Sequence, residues 1–202
     1  MDRRTFAKSV AVTALSTPAL ALAKQDCMAT SAGVVEGLVE RAADVVRSSE
    51  STREAFAQWS TTVSTVMPFL HMTALVAKEG SDPAAGPGDV RRVYSSVPSA
   101  YPVGGWKHLA GSDWAAHVLQ GQRILVASGE AQLKHYFPDH ELLASLGTRT
   151  LVNIPVVVCR RTIGALAFLC EQASIDSATT NELHRLVPSI APAFLLSTDS
   201  AS

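Results

Sequence analysis

Leu151-Val152-Asn153-Ile154-Pro155-Val156-Val157-Val158 and Thr162-Ile163-Gly164-Ala165-Leu166-Ala167-Phe168-Leu169-Cys170 flank a basic turn at Arg160-Arg161. Two apolar runs of strand length, joined by so short a link, read as one β-hairpin. The hairpin also decides how two cysteines are read. Cys159 falls at the turn and Cys170 at the far end, roughly eight residues along at about 3.3 Å each. A disulfide needs Cα atoms within about 7 Å, so both read as small buried hydrophobes. Cys27 is the third cysteine and lies well upstream.

Working back from the hairpin, Phe137-Pro138-Asp139 starts a helix that stops at Gly147. Before it come a helix around Ala131 to Tyr136, a strand from Arg123 to Ala127, and a short helix from Asp113 to Gln120 carrying Trp114 and His117. Tyr101 to Gly111, centred on Gly104-Gly105-Trp106, reads as an irregular lid bounded by prolines. Upstream, Phe69 to Val76 and Val90 to Val97 read as paired strands across a loop rich in Pro, Gly and Asp. The second of these alternates, with Val90, Arg92, Tyr94 and Ser96 on one face. Two helices precede them. Val35, Leu38, Ala42 and Val45 share one face of a helix from Val34 to Val46, and Phe56, Trp59, Val63 and Val66 repeat at helical spacing after the Ser51/Glu54 capping box. Beyond the hairpin, Thr179 to Leu196 reads as a helix interrupted by Pro188 and Pro192. Hairpins with helices segregated between them predict an α+β domain with a central antiparallel sheet.

The start of the chain reads as an export signal. Arg3-Arg4-Thr5-Phe6-Ala7-Lys8 precedes an uncharged run from Ser9 and the small-residue series Ala19-Leu20-Ala21-Leu22-Ala23. That is the layout of a twin-arginine signal peptide, which would deliver a folded protein to the periplasm. The run is too short to span a membrane, and Cys27 follows Lys24-Gln25-Asp26, which does not suit a lipid-anchor cleavage site. The expected organisation is a signal peptide over 1–23, an N-terminal helical extension over 24–67 and one domain over 68–197. With 17 basic and 18 acidic side chains in the 202 residues, and no clustered positive face, neither nucleic acid nor membrane is an expected partner.

The run from Pro68 to Leu196 resembles a GAF domain, a small sensor fold related in architecture to PAS domains. The marks are the strand Leu151-Val152-Asn153-Ile154-Pro155-Val156, the turn Arg160-Arg161, the strand Ile163-Gly164-Ala165-Leu166, and the helix leading into Gly121-Gln122-Arg123-Ile124-Leu125-Val126. The resemblance implies a pocket between the sheet and the elements covering one face, where relatives bind cyclic nucleotides, tetrapyrroles, haem, amino acids or small aromatics. It names no cofactor. The lid and short helices hold no cysteine, so a covalently attached bilin is not expected.

Tyr101, Trp106, Trp114, Tyr136 and Phe137 crowd the stretch expected to cover that pocket, the composition a small-molecule cavity needs. Closing the core would place them there equally well. Tyr101, Trp106, Trp114, Phe137, His140 and Asn153 are the ligand-binding candidates. Gly104-Gly105 would let backbone approach a ligand or simply make a turn. His117, His135 and His140 lack metal-ligand spacing; Asp139-His140-Glu141 lies at a helix start whose backbone amides could bind an anionic ligand group, with Asp139 read as the cap and His140 as the pocket candidate. No G-x-S-x-G, H-E-x-x-H, P-loop or Rossmann pattern occurs. The expected function is non-catalytic binding of an unidentified small molecule in a sensor-type domain. The alternatives are a thiol-dependent reductase resembling the free methionine sulfoxide reductases, which would need a thiol at the pocket, and a dimeric interaction module with no ligand. A homodimer paired through the Val34–Val46 helix is expected, since its apolar stripe should not stay exposed.

Overall fold

The computed structural model describes residues 36–78 and 88–198; the expected signal peptide, Cys27 and most of the loop before Asp89 lie outside the described residues. Six strands, β1 (His71–Ala77), β2 (Asp89–Ser95), β3 (Gly104–His108), β4 (Leu125–Ser128), β5 (Thr150–Val158) and β6 (Arg161–Cys170), form one sheet in the order β3-β2-β1-β6-β5-β4. Every neighbouring pair is antiparallel. The β5–β6 hairpin therefore supplies two of the four interior strands. Its turn sits one residue earlier than expected. Val158 pairs with Arg161, and Cys159 and Arg160 between them take φ of 49° and 63°, the left-handed pair that a two-residue hairpin turn demands. Pro155 is tolerated in β5 because β4 ends opposite Asn153, leaving that side of the strand unpaired beyond it.

One face of the sheet is covered by α1 (residues 36–48), α2 (Thr52–Val63) and α5 (Ser177–Thr198). Capping starts α2 as expected in part: the Ser51 hydroxyl accepts from the Glu54 N–H at 3.2 Å, while Glu54 reaches back to the Glu50 N–H at 2.9 Å. The Trp59 indole donates to Ser189 Oγ at 2.8 Å, tying α2 to α5. Phe56 stacks on Tyr94 at 5.5 Å and meets Phe194 edge-on at 5.2 Å. Leu38, Ala42, Phe56, Trp59 and Val63 share one core with Met72, Ile154, Leu166, Phe168 and Leu183. The residues before Pro68 are thus part of this core and not an appendage to it. Likewise the α1 stripe expected to pair two copies is spent inside its own protein, with Leu38 and Ala42 buried.

Pro188 and Pro192 do not interrupt α5, which runs through both. They stand four apart on its outer side, while Leu183, Leu186, Val187, Ile190 and Phe194 hold the inner side in the core. Packing of that apolar face outweighs two missing amide donors.

The other face is covered by the segment between β2 and β5. A π-helical turn (Ala115–Gln120), α3 (Gly129–Tyr136) and α4 (His140–Ser145) lie over it. The π turn takes the place of the expected short helix, and the Gly121 N–H closes it by donating to Ala116 O at 2.9 Å. The region expected to be an irregular lid contains β3, the edge strand beside β2.

An extra residue in β2 decides which side chains reach this second face. Ala74 pairs with Tyr94 and Leu75 with Arg92, so Val93 has no partner in β1. A bulge of this kind switches the strand's faces. Tyr94, expected beside Arg92, instead packs with Phe56 on the helical side, and Arg92 is left facing the other way.

Candidate functional site

A cavity of about 360 Å³ lies between this second face and its cover. The strands contribute Thr73 and Leu75 from β1, Val90 and Arg92 from β2, Lys107 from β3, Leu151 and Asn153 from β5, and Ala167 and Leu169 from β6. The cover contributes Tyr101, Leu109, Ser112, Trp114, Tyr136, Phe137, Pro138, Asp139 and Leu143. Strand alternation explains the first set, since each of these residues lies on the face opposite the α2 and α5 core.

Of the six candidates read from sequence, Tyr101, Trp114, Phe137 and Asn153 line the cavity. Trp106 does not. It stands on β3 opposite Arg91 of β2, is 42% exposed, and lies under the Arg91 guanidinium at 5.6 Å and the Lys78 ammonium at 5.9 Å. Period-two alternation sends Trp106 to the outside and its neighbour Lys107 to the cavity. His140 is likewise outside the lining; it opens α4, half-buried, with its Nδ1 unpartnered. Asp139 does not cap α4 with its side chain, and lines the cavity instead. Gly104 and Gly105, at φ of 95° and 68°, bulge the edge strand; neither lines the cavity, so their freedom serves the strand and not a ligand.

The sequence reading missed Arg92 and Lys107. A signal for Arg92 was present: Arg91 and Arg92 are adjacent on a strand, so they point to opposite faces, and a sheet covered on both faces must take one of them inside. Arg91 finds Ser197 O at 2.8 Å on the α5 side. Arg92 is 8% exposed, with its guanidinium carbon 4.7 Å from the centroid of the Tyr101 ring. One donor, Nη1, reaches Pro102 O at 3.3 Å.

Burial lowers the Arg92 pKa from its ordinary value, while the nearby Tyr101 and Asp139 work in the opposite direction. Burial also lowers that of Lys107, helped by the like charge of Arg92. The Tyr101 hydroxyl is pushed well above the usual phenol range, first by burial and then by the Asp139 carboxylate. It therefore stays a neutral donor at any physiological pH. Among the described residues three buried donors on the wall, Arg92 Nε, Trp114 Nε1 and Asn153 Nδ2, have no hydrogen-bond partner, whereas the Tyr101 hydroxyl has the Asp139 carboxylate as its neighbour. Buried polar groups are ordinarily satisfied, and each orphan costs on the order of 1–3 kcal/mol. All three open onto one largely apolar cavity.

No family model matches the sequence, and no curated protein matches it. Solved structures do. The GAF domain of an Acinetobacter phosphoenolpyruvate-protein phosphotransferase superposes with a TM-score of 0.61 over 82% of this chain and 95% of its own, at 15% identity. The fold is that of a GAF domain. The GAF domain of a Bacillus halodurans two-component sensor histidine kinase gives 0.57 over 73% of this chain and 95% of its own, at 11% identity. A free methionine-R-sulfoxide reductase from Neisseria meningitidis, solved with its substrate, gives 0.54 over 85% and 94%, at 11% identity. In all three the match extends over nearly the whole of the other chain.

The thiols of the described residues stand apart from the cavity. Cys159 is exposed on the β5–β6 turn, and Cys170 is buried with the α2 and α5 core, opposite Thr150. Burial raises the Cys170 pKa to about 12, which keeps it an unreactive thiol.

Proposed function

We propose that this chain is a non-catalytic, sensor-type GAF domain that binds a small molecule in the cavity beneath Trp114. The observation that carries the reading is the set of three unpartnered donors, Arg92 Nε, Trp114 Nε1 and Asn153 Nδ2, on the wall of a largely apolar, aromatic-walled space of ligand size. Among the described residues no thiol lines that space, so the geometry favours binding over sulfoxide chemistry. Native mass spectrometry of the full chain purified from its own host should show a retained molecule. Trp114→Ala should lose it while the protein stays folded by melting and circular dichroism, since a central aromatic anchor is worth about 2 kcal/mol or more. A wild-type protein that carries nothing and whose melting no metabolite extract shifts would refute the binding role.

Export to the periplasm belongs to the same proposal and rests on Arg3-Arg4 and the Ala19–Ala23 series. Among the described residues no helix is long and apolar enough to cross a membrane. Residues 1–30 fused to a reporter should carry it to the periplasm, and Arg3→Lys with Arg4→Lys should stop it. Retention of the unaltered fusion in a host with a working twin-arginine system would sink the export claim.

A further inference from the structure

The polar atoms of the cavity are not scattered evenly around it. Arg92 and Asn153 stand on β2 and β5 and project from the sheet floor, and both are nearly fully buried, at 8% and 1% exposure. The Arg92 fork is half used. Nη1 is taken by Pro102 O, while Nε, on the other edge, has no partner. Among the described residues no carboxylate lies within salt-bridge distance of this guanidinium, and the ring of Tyr101 fills one of its faces. Asp139 acts on this cation through space without pairing with it, and Lys107 adds a second positive charge to the same wall. Asp139 is the single acidic side chain lining the cavity among the described residues, so the wall as a whole is cationic.

Resting on the small-molecule reading above, we infer that the ligand is a monocarboxylate with an aromatic or branched apolar body. Its carboxylate lies along the Nε edge of Arg92 within reach of the Asn153 amide, and its body lies against Trp114, Phe137 and Leu143. The side-on edge of a guanidinium grips a planar carboxylate with two parallel hydrogen bonds. A phosphate is the poorer fit. Tight phosphate sites surround the group with backbone N–H donors from a loop or helix start, whereas Arg92 and Asn153 stand mid-sheet, where the backbone donors are committed to the ladder. The Trp114 indole N–H is a further unpartnered donor on the wall, which suits a ligand that brings acceptors.

The test titrates the full chain, by calorimetry and by melting, with benzoate, phenylacetate, cinnamate, indole acetate and isovalerate, each against its primary amide. At least one acid should bind about tenfold or more tightly than its amide, the difference a charge-assisted pair makes. Arg92→Met keeps the apolar stem and should abolish that preference while leaving the affinity for the amide within about threefold. Asn153→Leu should weaken the acid in the same direction. Without ligand, Arg92→Met should keep the circular dichroism spectrum and the single melting transition of the unaltered protein, since Met keeps the apolar stem in place; that separates lost recognition from lost folding. Equal binding of acids and amides, unmoved by Arg92→Met, would overturn the carboxylate assignment while the binding role survived. So would a retained molecule without a carboxylate, or a nucleotide whose affinity showed the same Arg92 dependence. A protein that binds no probe and retains no molecule would overturn the binding role and this inference together.

Discussion

Gly164→Ala should lower the stability of the whole domain by about 3 kcal/mol or more, at the upper end of what overpacking a core costs. A single methyl has this effect because of what already surrounds Gly164. It sits on β6 opposite Val76 of β1 and Val156 of β5. A Cβ built there would collide with the Leu75 carbonyl oxygen and lie 2.6 Å from two ring carbons of Phe194. Phe194 could tilt, but the Leu75 carbonyl belongs to the backbone between β1 and β6 and cannot move without disturbing the sheet. Glycine is therefore required at Gly164 for space and not for backbone freedom, and its φ is not among the positive ones. Gly104→Ala makes the opposite comparison. Gly104 has a φ of 95°, and an added methyl would meet nothing within 4 Å, so the change should cost only the left-handed strain, roughly 1–2 kcal/mol. In thermal melts Gly164→Ala should fall by roughly 6–12 °C, at about 2–4 °C per kcal/mol for a chain of this size. A fall of under about 2 °C, less than 1 kcal/mol on that scale, would mean that α5 does not press closely on β6.

Trp59→Ala should cost about 3–5 kcal/mol, the range for removing a buried indole, out of the roughly 5–15 kcal/mol that holds a domain together. Trp59 is fully buried on α2, meets Phe168 at 6.4 Å and donates to Ser189 on α5. Its loss therefore opens a void where α2, α5 and the sheet meet. Trp59→Phe keeps most of the apolar volume and gives up the Ser189 hydrogen bond, and should lose roughly a third as much, in line with a net bond of about 1 kcal/mol plus a small cavity. The pair of variants also tests whether α2 belongs to the core. If the helices before residue 68 were an appendage, Trp59→Ala would leave the melting of the sheet and its cavity unchanged.

The hairpin was legible because both its strands are interior and apolar, so composition alone marked them. The order of the strands and helices followed from turn signals between them, and the GAF resemblance rested on that order. Errors gathered where local signals were weak or ambiguous. Pro188 and Pro192 looked like helix breakers because proline propensity is a local quantity, while burial of Leu183, Ile190 and Phe194 is a tertiary one. β3 was hidden because Gly104-Gly105 and neighbouring prolines spell a loop, and an edge strand needs only a partner on one side. The first two helices looked separable because amphipathic periodicity shows that a face will be buried, not against what.

The same division holds at the cavity. Sequence by itself determined that an aromatic-rich segment covers a sheet, and four of the six candidates, Tyr101, Trp114, Phe137 and Asn153, line the space that results. It also contained the requirement that one of Arg91 and Arg92 point inward, through the period of two that every strand obeys. Which one, and beside what, was a tertiary decision. The unpaired Val93 in β2 separates the faces taken by Arg92 and Tyr94, and the register of β3 sends Trp106 outward and Lys107 in. A strand's alternation is written in its residues, but its phase relative to the core is set by pairing with other strands. One extra residue in that pairing is enough to exchange the faces.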